Sequence, residues 1–256
     1  MTEQTKTAVQ REFGANAAAY VTSAPHAKGA SLERLLALTD PQPDWQVLDV
    51  ATGAGHTALL FAPHVRQVWA TDITPEMLDQ VRRLATERHV ANLTIEIADA
   101  ESLPYPTHSF DLVTCRIAPH HFDDPAMFMR EAARVLKPGG RLAVVDNIVP
   151  EGIAGDYANA FEKLRDPSHV RCLSMEEWQA LLEDHGFQIE YGEILDKRME
   201  FASWAARHDA NRQRYLLAML HQATGAAAEF LHPAFDGPSV TFRLWEAILL
   251  ARFAPK

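Results

Sequence analysis

From residue 46 the chain alternates short apolar runs with helical patterns, and this alternation narrows its fold more than any other feature. QVLDV is followed by the glycine turn ATGAG and the apolar TALLFA; QVWAT ends at Asp72, and Thr74 with Pro75 opens EMLDQVRRLATERH. LTIEIA and FDLVTCRI follow, then DPAMFMREAARVLKPGG, a helix ended by Pro138 and two glycines, and then RLAVVDNI. Runs of four to eight residues rich in β-branched side chains read as strands, and Met77, Leu78, Val81, Leu84 and Ala85 keep the spacing of one helix face. Strands separated by helices need right-handed crossovers, which place them in a parallel sheet covered on both faces. The prediction is an α/β fold.

The rhythm changes after residue 150. Residues 151–173 read as a helix and a polar loop inserted over the sheet edge, and SMEE at 174–177 is a capping box that opens WQALLEDHGF. QIEYGEIL and SVTFRLWEAILLARF, separated by helical residues 199–224, could close the sheet, although the last run fits a helix equally well. Residues 1–40 read as a mostly helical cap with Leu32, Leu35 and Leu36 as a stripe. The expected organisation is that cap, then one domain over 41–256 carrying a lid at 151–173. Apolar stretches in 199–253 are core by default, and a homodimer face or substrate channel is the alternative use for them.

Net charge decides which partners to expect. The formal charge is −10, with 24 basic residues scattered among 34 acidic ones, so a nucleic-acid surface is not expected and a small-molecule substrate is. Cys115 and Cys172 are the two cysteines, which excludes a disulfide framework and suits a reducing compartment. MTEQTKTAVQREFG lacks the apolar stretch of a signal peptide, and no run approaches the length of a membrane span, so the chain reads as soluble and cytoplasmic.

The turn DVATGAG carries the first chemistry. Gly53 and Gly55 allow a tight turn and a close approach of backbone to ligand at the carboxyl end of a strand, where open parallel sheets bind ligands. GAGHTA also fits a loose dinucleotide fingerprint. Acids at three successive strand ends weigh against a diphosphate. Asp49 would repel pyrophosphate yet attract an ammonium, Asp72 stands where a carboxylate accepts ribose hydroxyls, and Asp99 with the backbone of Ala100 could read an adenine edge. The plain alternative is that these acids cap turns and helices.

VLDVATGAG, ATDITPEML, ADAESLPYPTHSFDLV and EAARVLKPGG together resemble the class I S-adenosylmethionine (SAM)-dependent methyltransferases, close to the ubiquinone/menaquinone C-methyltransferase branch. The resemblance covers roughly residues 45–150. It implies a Rossmann-like, mostly parallel seven-stranded sheet with an antiparallel last strand, and SAM as cofactor. It places Gly53 and Gly55 against the methionine part, Asp72 at the ribose and Asp99 with Ala100 at the adenine, with Asp49, Ala51, Ile73, Met77 and Arg116 in the same binding set. Ala51 and Thr52 replace the more common Gly-Cys pair.

Four features lie outside the cofactor frame: Arg116, His120 and His121 after strand four; Asp146 and Asn147 ending strand five; Arg165, Asp166, Ser168, His169 and Arg171 in the insertion; and Tyr20, Ser23, His26 and Lys28 near the start. Methyl transfer needs alignment above all, and a base where the nucleophile is protic. His120 or His169 is the expected base or anchor, with Arg116 and Arg165 holding an anionic group that could be the SAM carboxylate. Tyr20, His26, His121, Asn147 and Ser168 complete the acceptor set. Adjacent histidines point different ways, so one of His120 and His121 is expected to pack, and an Arg165–Asp166 ion pair is the plain reading of those two. No metal is expected, because adjacent histidines rarely ligate one ion and no HExxH spacing occurs. A SAM enzyme running another reaction, such as a cyclisation that releases methylthioadenosine, and an NAD-dependent oxidoreductase are the rival classes.

Overall fold

The computed structural model describes residues 2–22 and 29–255. Eight strands form one sheet: β1 Gln46–Val50, β2 Gln67–Asp72, β3 Leu93–Ile97, β4 Phe110–Arg116, β5 Leu136–Ile148, β6 Phe187–Glu200, β7 Ala234–Asp236 and β8 Ser239–Phe253. Their order is β3-β2-β1-β4-β5-β8-β6, and β7 pairs with β8. β1 to β5 are parallel, and β8 runs antiparallel to both β5 and β6. The Rossmann-like sheet with an antiparallel last strand is therefore present, with the short β7 added.

Alternation along the central strands fills two cores. Leu48, Val50, Val113, Cys115 and Val144 face the helices Pro125–Val135 and Met175–Asp184, which contribute Phe128, Met129, Trp178 and Leu182. Val47, Val68, Ala70, Leu112 and Val145 face the opposite side, where Leu35, Phe61, Leu78 and Val81 pack from helices Ala30–Thr39, His56–Phe61 and Pro75–Glu87. Each sheet face is buried, which is why these strands read as continuous apolar runs.

One open alternative is resolved and two expectations are corrected. The final run, which also fitted a helix, is the longest strand, because its successive residues serve both faces of the sheet: Ile248 and Leu250 join one core and Leu249 and Ala251 the other. The helix expected to reach Pro138 ends at Val135, since the residue before a proline is biased away from helical backbone; the sequence then loops out between the Phe110–Leu136 and Leu112–Arg141 pairs. Finally, residues 199–224 are not uniformly helical, as β6 continues to Glu200 before helices Phe201–Ala205, Ala210–Gln222 and Gly225–Leu231.

Those helices and Ile153–Arg165 build a third core of Phe161, Trp204, Leu216, Leu220, Phe242 and Leu244 against the protruding ends of β6 and β8. The apolar stretches after residue 199 are thus largely core. Among the described residues, no helix is long and apolar enough to cross a membrane.

Candidate functional site

The sheet order reverses at β1, whose neighbours β2 and β4 lead to opposite edges, so a crevice opens at the carboxyl ends of β1 and β4. Three residues in the turn after β1 have positive φ: Ala51 at 51°, Gly53 at 55° and Gly55 at 85°. The two glycines do different work. A Cβ on Gly53 would meet nothing within 4 Å, whereas one on Gly55 would stand 2.9 Å from a Val81 methyl. Gly53 lines the cavity; Gly55 instead lets helix Pro75–Glu87 pack against the turn, which corrects its expected place beside a ligand.

Asp49 is also displaced from its expected role. Its carboxylate is 1% exposed and accepts bonds from Thr114 Oγ1 at 2.6 Å, Thr52 Oγ1 at 2.5 Å and the Ala58 N–H at 3.2 Å. It ties turn to sheet and is absent from the cavity wall. Burial pushes its pKa up to about 6, partly opposed by those hydrogen bonds. Asp72 does line the cavity; Oδ2 accepts the Gly53 N–H at 2.9 Å and Oδ1 the Thr74 N–H at 2.8 Å, so one carboxylate holds the glycine turn and the next helix start. Burial raises its pKa, moderated by those amides.

The cavity beside Asp72 has about 710 Å³ of space and is walled by Ala51, Gly53, Ile73, Met77 and Arg116. Its outer wall is the helix Glu3–Thr22, from which Val9, Phe13 and Tyr20 face inward. That helix is fixed by Gln10 to the Ile73 carbonyl at 2.9 Å, Thr5 to Asp123 at 2.6 Å and Lys6 to Asp99 at 3.1 Å. Asp99 and Ala100 stand off the cavity wall, with Asp99 engaged by Lys6 and by the Glu101 N–H. Arg116 is buried; its guanidinium reaches Thr57 Oγ1 at 3.4 Å and Ser31 Oγ at 3.3 Å.

After β4 the chain turns through Ile117, a β-branched residue at φ 53°, a strained conformation worth on the order of 1–3 kcal/mol. A 2.7 Å bond from its N–H to the Val145 carbonyl holds it there, and its side chain borders two cavities. The following turn, Pro119–His121, buries both histidines, partly because the N–H groups of Val170 and Arg171 dock on the His120 carbonyl. His120 Nδ1 donates to Asp146 Oδ1 at 2.6 Å, which leaves Nε2 as its basic nitrogen. Burial lowers the His120 pKa, but the charge and hydrogen bond of Asp146 outweigh it and the net shift is upward. His121 turns away, donating from Nδ1 to the Ser168 carbonyl at 3.1 Å and meeting the Phe13 ring edge-on; burial and the neighbouring His120 lower its pKa.

A second, polar cavity of about 630 Å³ adjoins the first, and Phe13, Tyr20, Ile117 and His121 border both. His120, Asn147, Glu162, Arg165, His169 and Lys197 face it. His169 is a poor base: Asn159, oriented by the Cys172 backbone, accepts its Nε2–H at 2.9 Å, and burial with the charges of His120 and His121 pushes its pKa to about 2. The expected Arg165–Asp166 pair is not formed. Arg165 lies over the Trp204 ring at 4.7 Å, and Asp166 bonds Ser168 and pairs with Arg207 at 3.3 Å. Ser168, expected at the acceptor, is buried in that network and off the chamber wall.

His26, with Ser23 and Lys28, lies outside the described residues. The sequence reading missed Phe13, Glu162, Lys197 and Trp204. Val9, Phe13 and Tyr20 have one-face helical spacing that could have flagged the first, while Glu162 in AFEKLR looks like any solvated helix position. Among the described residues, no group of three or more His, Cys, Asp or Glu side chains is arranged to hold a metal ion.

Residues 48–144 match the family described as "Methyltransferase domain". The chain is 37% identical over 222 residues to "Uncharacterized methyltransferase YcgJ" of Bacillus subtilis (strain 168), covering 85% of this chain and 87% of that one. The crystal structure of that YcgJ protein superposes with a TM-score of 0.85 at 33% identity, over 88% of this chain and 99% of that chain. The ubiquinone/menaquinone biosynthesis C-methyltransferase UbiE of Laribacter hongkongensis (strain HLHK9) is 39% identical over 109 residues, 41% of this chain and 44% of that one. A phosphoethanolamine N-methyltransferase 2 of Haemonchus contortus, in complex with S-adenosyl-L-methionine, shares the fold alone, with a TM-score of 0.66 at 18% identity over 95% of this chain and 57% of that chain.

Proposed function

The chain belongs to the methyltransferase family, as a class I member near its UbiE-like branch, and we propose that it moves a methyl group from SAM to a small-molecule acceptor seated in the polar chamber. The observation that carries this reading is the Asp146–His120 pair, 2.6 Å apart, on the wall of a chamber that adjoins the glycine-turn cavity. The first cavity suits SAM by its own residues: the open space at Gly53, a carboxylate at Asp72, apolar Ile73 and Met77, and the cation Arg116. Asp72 would hold the ribose hydroxyls, Ile73 and Met77 the flat base, and Arg116 the carboxylate. Bound there, SAM supplies an electrophilic methyl on a sulfonium and departs as S-adenosylhomocysteine.

The residues of this chain do the rest. Asp146 fixes the His120 ring with Nδ1 protonated, so Nε2 takes the proton from an acceptor O–H, N–H or acidic C–H as the new bond to methyl forms. His169, with a pKa near 2, stays neutral and positions the chamber wall through Asn159. Phe13 and Tyr20 border both cavities and on this reading shield the reacting groups from water. On this reading residues 1–40 act as cap and 151–173 as lid to the domain 41–256, with helices after residue 200 completing the enclosure.

Calorimetry tests the cofactor assignment: SAM and S-adenosylhomocysteine should bind, and absence of binding by both at millimolar concentration ends the proposal. Product analysis tests the reaction, because methyl transfer leaves S-adenosylhomocysteine whereas a cyclisation leaves methylthioadenosine.

A further inference from the structure

Among the described residues, the polar chamber contains charged side chains that are matched to partners and one with an oxygen that is not. Lys197 donates to Asn147 Oδ1 at 3.1 Å and Glu246 Oε2 at 3.0 Å. Arg165 lies on Trp204 and donates from Nε to the Trp204 carbonyl at 3.3 Å. Asp166 is held by Ser168 and Arg207. Glu162, three residues before Arg165 on helix Ile153–Arg165, is 7% exposed and lines the same chamber, yet its Oε1 is closed to solvent and has no hydrogen-bond partner. A buried carboxyl group that the fold leaves under-bonded weakens the structure, so its presence in a cavity wall points to a ligand that engages it from the chamber.

We propose that Glu162 selects the acceptor, its carboxyl group receiving on the chamber side a hydrogen bond from a hydroxyl of the acceptor other than the group that is methylated. The assignment rests on the methyl-transfer reading. Arg165 and Lys197 face the same space and offset the negative charge of Glu162, which favours a neutral hydroxyl over an ammonium as its partner. His120 offers the chamber a second, separate basic atom, so the acceptor class is one carrying two protic groups, one facing His120 and the other Glu162.

Phenol and catechol, titrated into protein saturated with S-adenosylhomocysteine, differ by the second hydroxyl. Catechol should bind roughly tenfold more tightly than phenol to the wild type, Glu162→Leu should bring the ratio to about one, and Glu162→Gln, which keeps an acceptor oxygen, should retain most of it. Glu162→Leu should melt no lower than wild type, since it removes an unmatched buried group; a marked fall would assign Glu162 a structural role and overturn the proposal. Equal binding of the two probes to wild type, binding of neither, or a ratio that survives in Glu162→Leu would overturn it as well. If S-adenosylhomocysteine fails to bind, the methyl-transfer reading falls by itself, and the same titrations on the protein without it still judge Glu162.

Discussion

Asp146 and His120 meet at 2.6 Å across the gap between the end of β5 and the turn after β4, both buried. The bond aligns one imidazole among three neighbouring ones and separates a histidine whose pKa is raised from two whose pKa values are driven down.

Asp146→Asn should lower the turnover number by about 10²-fold or more, the size of a lost general base. The pH profile adds a sign. His120 has a folded pKa above its ordinary 6.5, so turnover should rise with pH through a limb above 6.5, and the variant's limb should move to lower pH. Protonated His120 binds Asp146 more tightly, so the stability this pair contributes is fully present below pH 6.5 and fades as pH rises through the folded pKa. Thermal melts of wild type and Asp146→Asn should converge as pH is raised over that window; a constant gap would deny the coupling.

Gly53→Ala and Gly55→Ala should fail in different ways. Both place a Cβ at positive φ, a cost of about 1–2 kcal/mol each. Gly55→Ala adds the 2.9 Å collision with Val81, an overpacking cost of about 1–3 kcal/mol more. Gly53→Ala should chiefly weaken S-adenosylhomocysteine binding in calorimetry, and Gly55→Ala should chiefly lower the melting temperature.

Asp72→Ala removes a cavity carboxylate and the acceptor for two amides, those of Gly53 and Thr74. S-adenosylhomocysteine affinity should fall at least tenfold, since a hydrogen bond to a charged group contributes about 1.5–3 kcal/mol. An unchanged dissociation constant would move the ribose elsewhere.

Arg207 joins three distant segments, pairing with Glu12 on the amino-terminal helix and with Asp166 on the loop after helix Ile153–Arg165, each at 3.3 Å. Arg207→Met should speed amide hydrogen exchange in residues 3–22 and destabilise the fold by about 1–3 kcal/mol through the stranded, mostly buried Asp166. Exchange unchanged in that helix would show that Phe13 and Tyr20 hold it without the clasp.

The sheet was readable in advance because its evidence is local: apolar period, glycine turn and capping box each announce themselves within a few residues. Asp72 and His120 were legible as candidates because they follow strands β2 and β4 at the carboxyl edge of the sheet, and both do line a cavity. Asp49 and Gly55 misled, because an acid or glycine beside a ligand has the same sequence as one buried in a turn, and Val81, which decides the second case, stands 26 residues further on. Glu162 was invisible for a related reason. Its chamber is assembled from β5, β6, β8, the turn after β4 and three helices, and no short window contains that meeting. The last strand was ambiguous because a run buried on both faces loses the alternation that marks a strand.

The two cavities draw on largely different stretches of the chain: apart from the wall they share, the glycine-turn cavity takes its residues from 9–122, and the chamber adds His120 and then 147, 162–169 and 197–244. Substitutions in the later stretch can therefore accumulate over generations without disturbing the Gly53–Asp72 turn, since distant sites combine nearly independently. A lineage built this way can inherit one half intact while redrawing the other, and descendants that share the glycine-turn cavity need not share a diet.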